Sequence, residues 1–311
     1  MSGVENRIWT IVFNPKAGKN SIAREDILKK ALSRQNIPFT WISVVETETL
    51  KAMIGESLAR GCRRFLSVGG DGTNNTTINQ LLASQDLDDL ICGILPWGTG
   101  NDFAEYHGFS DQTTQLVDCI LKEPLKLIPL GRIDFFRENR THYFTNTLGV
   151  GFDAFVVNKL KDTKKSGRFS YMWAIMKGLR EYSSRRLAYR IDDSGKASKV
   201  FSLHLGLGPT TGGGMKITPH AVSRGERFAY SIVQDSSKLN YMLALPKLLT
   251  GNIHHLDFVD SGYLERLEIP EQHVNVVVEC DGEICGKAPF YIQMHEHRLK
   301  FLDTSPGGSL S

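Results

Sequence analysis

Phe65-Leu66-Ser67-Val68-Gly69-Gly70-Asp71-Gly72-Thr73-Asn74-Asn75-Thr76-Thr77-Ile78-Asn79-Gln80-Leu81-Leu82 runs from a short apolar strand, through a glycine-rich turn, into a helix that opens on Asn and Thr residues. Gly69, Gly70 and Gly72 remove the Cβ atoms that would keep a ligand away from the backbone. Successive N–H groups in such a turn, followed by a helix N-terminus, cradle an anion, most often phosphate. Asp71 is the exception, because a carboxylate repels phosphate unless a divalent cation lies between them. The turn therefore predicts nucleotide phosphate together with Mg²⁺. The alternative is a tight strand-to-helix turn in which Asp71 serves as a cap.

Two further stretches repeat the plan of apolar strand, glycine turn and helix start: residues 91–104, containing Pro96-Trp97-Gly98-Thr99-Gly100-Asn101-Asp102, and residues 8–20, containing Asn14-Pro15-Lys16-Ala17-Gly18. Up to about Leu130, strands at 7–13, 39–45, 64–68 and 90–95 alternate with helices near 21–34, 49–60, 74–82 and 112–121. Such alternation predicts an open parallel α/β domain, whose ligands bind at the carboxyl ends of the strands. Beyond it the strands are short and punctuated by Gly, Asn and Asp, among them 127–136, 140–148, 275–279 and 298–302. They predict an antiparallel β-sandwich interrupted by helices at 154–162, 168–184 and 239–249. The expected division is an α/β nucleotide-binding domain over 1–130, a β-sandwich domain over 131–302 and a disordered tail over 303–311.

Lys and Arg number 37 against 34 Asp and Glu, a net charge of +3, too small to argue for nucleic acid. No apolar run approaches the roughly 20 residues that a membrane span needs. Met1–Asn6 lacks the basic start and apolar stretch of a secretory signal. Cys62, Cys92, Cys119, Cys280 and Cys285 are scattered without a Cys-x-x-Cys pair, which suits free thiols in a reducing cytosol. A cytoplasmic protein, peripheral at a membrane surface, is the expectation.

The Asn14–Gly18 loop, Gly69–Thr73, Pro96–Asp102 and a late Asp281-Gly282-Glu283 occur in an order that resembles the diacylglycerol kinase catalytic-domain family, bacterial soluble lipid kinase type. The resemblance runs over nearly the whole chain and extends to the related sphingosine and NAD kinases. It implies a nucleotide domain followed by a β-sandwich domain whose chain end returns towards the first. It implies ATP and Mg²⁺ as cofactors and a lipid at a membrane surface as partner, with a homodimer as an option. Asn14, Pro15, Lys16, Ala17, Gly18, Thr47, Gly69, Gly70, Asp71, Gly72, Thr73, Asn75 and Thr99 are the implied nucleotide-binding residues. Thr47 serves equally as a helix cap. Asp71 and Asp102 are the implied metal residues, with Asn101 and Asp102 also bracing their loop.

Phosphoryl transfer needs a carboxylate within hydrogen-bond reach of the acceptor hydroxyl. The resemblance implies Asp281 as general base with Glu283 in support, and Asp71 as the alternative base. Without the other motifs, Asp281-Gly282 reads as a plain hairpin turn. Three residues depart from the family pattern: Thr76 and Pro129 stand where acids are usual, and Arg224 disfavours a structural cation beside Lys216–Ala221. The segment 168–186 places aromatic and apolar residues among Lys177, Arg180, Arg185 and Arg186, with Lys159, Lys161, Lys164 and Lys165 upstream. It suits docking on an anionic membrane, and equally an ordinary core-facing helix. Three functions compete: an ATP-dependent kinase of diacylglycerol or a similar long-chain lipid, serving phospholipid metabolism; an NAD-kinase-like enzyme with a soluble acceptor; and a catalytically lapsed nucleotide- or lipid-binding protein.

Overall fold

The computed structural model describes residues 7–18, 21–44, 47–83, 89–161, 168–222, 225–271 and 275–305. Lys164, Lys165, Arg224 and the tail beyond Ser305 lie outside them. The chain divides into two compact units. One comprises the chain up to Ile128 together with the stretch from His297, and the other is Pro129–Glu296.

In the first unit, β1 (Trp9–Phe13), α1 (Ser21–Arg34), β2 (Phe39–Ser43), α2 (Thr47–Ala59), β3 (Arg64–Gly69), α3 (Asp71–Leu82), β4 (Ile91–Pro96), α4 (Asp102–His107), α5 (Thr113–Lys122) and β5 (Leu125–Ile128) follow one another. The sheet order is β2-β1-β3-β4-β17-β5, where β17 is Leu299–Leu302. All pairings are parallel except β17 with β5. β1 and β3 are buried along nearly their whole length, as parallel strands covered on both faces must be. The order reverses at β1, which pairs with β2 on one side and β3 on the other. That reversal is the switch point at which open α/β sheets bind ligands.

Two expectations change in this unit. The stretch 127–136 is two strands, not one: β5 belongs to this sheet, and the chain leaves it at Pro129. Asp303–Ser305, expected in the disordered tail, are built in. Asp303 N–H donates to Pro124 O at 2.8 Å, and the fully buried Thr304 accepts from Ser110 N–H through Oγ1 and from the Gln115 amide through its carbonyl.

The second unit contains β6 (Gly131–Phe135), β7 (Arg140–Phe144), β8 (Thr147–Gly151), α6 (Phe152–Lys161), α7 (Arg168–Glu181), β9 (Arg185–Ile191), β10 (Ser194–Gly206), β11 (Phe228–Gln234), α8 (Lys238–Thr250), a 3₁₀ turn (Asn252–His255), β12 (Val259–Leu264), β13 (Arg266–Ile269), β14 (Val277–Cys280), β15 (Glu283–Lys287) and β16 (Phe290–Met294). Its sheet is antiparallel throughout. The 13-residue β10 pairs with β9 through its first half, then with β8 and β11 through its second, with an irregularity between Val200 and Ser202. Inward residues from both arms, including Ile133, Phe144, Leu203, Leu205, Phe228, Leu267 and Phe290, meet in one apolar core, as a sandwich requires. The stretch 140–148 is not continuous: Thr145 and Asn146 interrupt it, and their backbone groups serve the site described next.

Candidate active site

In the first unit, the three glycine loops leave the carboxyl ends of β1, β3 and β4 and interlock. Asn14 Nδ2 donates to Thr73 Oγ1 at 2.9 Å, and Asn14 N–H to Val68 O at 3.0 Å. Trp97 and Gly98 N–H groups donate to Gly69 O at 2.8 and 3.1 Å. A Cβ on Gly98 would lie 2.3 Å from Gly70 Cα, and one on Gly18 (φ +66) 2.1 Å from Trp97 O, so neither position has room for a side chain. Asn101 fastens its own loop, donating to Gly98 O at 3.0 Å and Pro96 O at 3.3 Å. Its Oδ1 is buried without a hydrogen-bond partner.

Asp71 is the first residue of α3, whose first intrahelical bond runs from Asn74 N–H to Gly70 O. The amides of Gly72 and Thr73 thus fall in the first turn, where helical donors have no partner within the helix. The Asp71 carboxylate reaches across to the next loop: Oδ2 accepts from Asp102 N–H at 2.9 Å and Oδ1 from Phe103 N–H at 3.3 Å. It caps α4, whose own Asn101 is left-handed (φ 58) and makes no side-chain cap. The cap reading of Asp71 is therefore realised, on α4 rather than on its own helix. Asp102 is only 4 % exposed.

Lys16 and Thr99 are exposed, Pro15 is half-buried and Ala17 is buried, all on these loops. Lys16 N–H donates to Asn14 Oδ1 at 3.0 Å, which holds the first loop in a turn. Asn75 is buried one turn into α3 and accepts from Asn79. Thr47 opens α2, with its side chain outside the described region. This donor set fits nucleotide phosphate and Mg²⁺. The glycine contacts leave backbone N–H groups unshielded, α3 presents a positive N-terminus, and Asp71 supplies the carboxylate that a phosphate-bound cation needs.

The second unit carries Asp281 and Glu283. Asp281 (φ 50) and Gly282 (φ +83) form the two-residue turn between β14 and β15, the geometry of a plain Asp-Gly hairpin. The Asp281 carboxylate does more than turn the chain. Oδ2 accepts from Thr145 N–H at 2.8 Å and Thr145 Oγ1 at 3.1 Å, and Oδ1 accepts from the amides of Asn146 and Thr147 at 2.9 Å each. Four donors match the roughly four lone-pair positions of a carboxylate. Glu283, two residues on, is exposed.

Sequence reasoning missed the layer beneath this turn. Glu279 is 1 % exposed and its Oε2 accepts from Gly282 N–H at 2.9 Å. Burial, then the neighbouring Asp153 carboxylate, pushes its pKa well above the usual range. His204 lies 3.7 Å from Asp153 and 3.0 Å from Ser202 Oγ, and burial pulls its pKa down. The available signal was a glutamate directly after the β-branched run Val276-Val277-Val278. Asp153, Ser202 and His204 join the lining of a mostly apolar pocket that includes Phe152, Ile175, Leu179, Phe201, Leu245 and Leu248 from α6, α7, α8 and β10.

α7 has a buried face and an exposed one. Ala174, Ile175 and Leu179 pack inward, while Trp173 is 63 % exposed with Lys177 Nζ 5.5 Å over its ring. On α8, Leu239, Met242, Leu243 and Leu249 are also exposed. No helix among the described residues is long and apolar enough to cross a membrane.

Residues 8–133 match the diacylglycerol kinase catalytic domain, and residues 146–303 match the YegS C-terminal NAD kinase beta sandwich-like domain. YtlR of Bacillus subtilis, whose name describes a lipid kinase, is 27% identical over 305 residues, covering 91% of this chain and 95% of that protein. A diacylglycerol kinase of Mycobacterium tuberculosis is 25% identical over 293 residues, covering 92% and 89%. A crystal structure of a diacylglycerol kinase from Bacillus anthracis superposes with a TM-score of 0.73 at 20% identity, covering 96% of each chain, which speaks to fold.

Proposed function

The chain belongs to the diacylglycerol kinase catalytic-domain family of lipid kinases, with a YegS-type C-terminal domain, and from that premise we propose that it transfers the γ-phosphoryl group of ATP to the hydroxyl of diacylglycerol or a similar long-chain lipid. The observation that carries the reading is the interlocked trio of glycine loops with Asp71 drawn across them. The amides of Gly72 and Thr73, with Asn14 and Thr99, hold the phosphates. Asp71 holds Mg²⁺, and Asp102 keeps Asp71 in place through its backbone N–H. Mg²⁺, when bound, neutralises the charge on the phosphate oxygens and so favours attack at the γ-phosphorus.

The family resemblance gives Asp281 as base with Glu283 in support, and we propose a division of roles within that turn. Asp281 is occupied by four donors and fixes the turn, whereas Glu283 is exposed on the same turn. On that contrast we propose Glu283 as the group that accepts the proton of the acceptor hydroxyl, with Asp281 holding the turn. A long-chain acceptor is favoured over a soluble one by the apolar pocket beside α7 and α8 and by the exposed Trp173, Leu239 and Leu243 on those helices, which suit docking on a membrane surface. The test is transfer of label from γ-labelled ATP to a hydroxyl-bearing lipid, lost in Glu283→Gln. ATP binding without transfer to any lipid would overturn it.

A further inference from the structure

Three ligand-bearing side chains converge in the second unit, two of them in its apolar core and the third half-buried beside it. His142 lies on β7, Cys280 ends β14 and Cys285 lies on β15. One imidazole nitrogen and the two sulfurs all lie within 4.8 Å of one another. Both thiols are buried, and His142 Nε2 is buried with no hydrogen-bond partner. A triangle with sides of 4.8 Å has its centre about 2.8 Å from each corner, whereas Zn–S and Zn–N bonds are about 2.3 and about 2.0 Å. An inward movement of about half an ångström, or slightly more for the imidazole, brings all three into bonding range.

We propose that His142, Cys280 and Cys285 bind a soft divalent cation, Zn²⁺. Binding forms two Zn–S bonds and one Zn–N bond, and the two thiol protons leave to solvent. Two thiolates and Zn²⁺ sum to zero, so the buried cluster carries no net charge, which a core site requires. A plain core explains the two thiols, but not a neighbouring imidazole whose Nε2 is buried without a hydrogen-bond partner.

The cluster brackets the turn that bears Asp281 and Glu283. Cys280 immediately precedes Asp281, Cys285 follows Glu283 by two residues, and His142 lies three residues before Thr145, which donates twice to Asp281. Zn²⁺ fastens β7 to the β14–β15 hairpin and stiffens the turn. This inference stands apart from the kinase reading, because its test reads the metal and not transfer.

The experiment is Co²⁺ titration of the full-length, reduced, chelator-treated protein, followed by thiolate-to-metal charge-transfer absorption, with Zn²⁺ as the displacing ion. The expected result is saturation at one equivalent, reversed by Zn²⁺, absent in Cys285→Ser, at least about tenfold weaker in His142→Gln and unchanged in Cys62→Ser. Should Cys285→Ser fail to fold, the thermal midpoint remains: Zn²⁺ raises it in the wild type and not in His142→Gln. No charge-transfer band at stoichiometric Co²⁺, or a band that survives substitution of both Cys285 and His142, overturns the proposal.

Discussion

The Asp71 carboxylate accepts the Asp102 amide at 2.9 Å, so the acid of one glycine loop is the cap of the helix that starts the next. Asp71→Ala removes the cap and the charge together. It should cost about 1 kcal/mol of stability and nearly all transfer activity. Asp71→Asn keeps an acceptor oxygen, so denaturant unfolding should show a smaller loss while activity stays abolished. Equal stability losses in the two variants would contradict the capping account.

Gly98→Ala pushes a methyl group to 2.3 Å from Gly70 Cα, forcing two loops apart. Nucleotide affinity should fall at least about tenfold, as binding calorimetry would read it, with far-UV dichroism unchanged. Wild-type affinity would show that the loops do not need their close contact.

Much of this was legible in the chain. The glycine runs at Gly69–Gly72 and Gly98–Gly100 follow apolar strands, and local spacing alone places them at sheet edges. Where pairing is long-range the sequence is silent. Leu299–Leu302 reads as one more short apolar strand, and nothing local says that it inserts between β4 and β5. β15 was hidden because Gly286 and Lys287 weaken its strand signal. The hold of Thr145–Thr147 on Asp281 joins residues more than 130 apart in sequence, and a one-dimensional pattern carries no trace of it.

Asp281 and Glu283 should separate in their effects. Asp281→Asn exchanges one acceptor oxygen for an NH₂ group facing backbone donors, and should destabilise the second unit by about 2 kcal/mol or more. Glu283→Gln, at an exposed site, should stay within about 0.5 kcal/mol of wild type. Unfolding curves that place the two variants together would remove the distinction between turn-former and base.

His107 gives a pH dependence in the first unit. Burial, aided by Lys126, lowers its pKa from 6.5 to about 3. The unfolded chain therefore binds a proton below 6.5 that the folded chain refuses. This stability is fully present above 6.5 and is lost as pH falls towards 3, by about 1.4 kcal/mol per pH unit. His107→Gln should flatten the slope of unfolding free energy between pH 6 and pH 4, a window set by those two values. An unchanged slope would contradict a neutral buried imidazole.

The exposed apolar residues of α7 and α8 should matter only at a lipid surface. Trp173→Ala with Leu243→Ala should weaken sedimentation with anionic vesicles about a hundredfold or more and leave ATP affinity intact, since burying each side chain contributes about 1.5–3 kcal/mol. Unaltered sedimentation would locate membrane contact elsewhere.

The most direct measurement is γ-phosphoryl transfer from labelled ATP and Mg²⁺ to a panel of hydroxyl-bearing lipids in mixed micelles, beside a soluble acceptor such as NAD, with wild type and Glu283→Gln compared. The account predicts label in a lipid of the diacylglycerol type, lost in Glu283→Gln. Label in the soluble acceptor alone, or in no acceptor while ATP still binds, would contradict it.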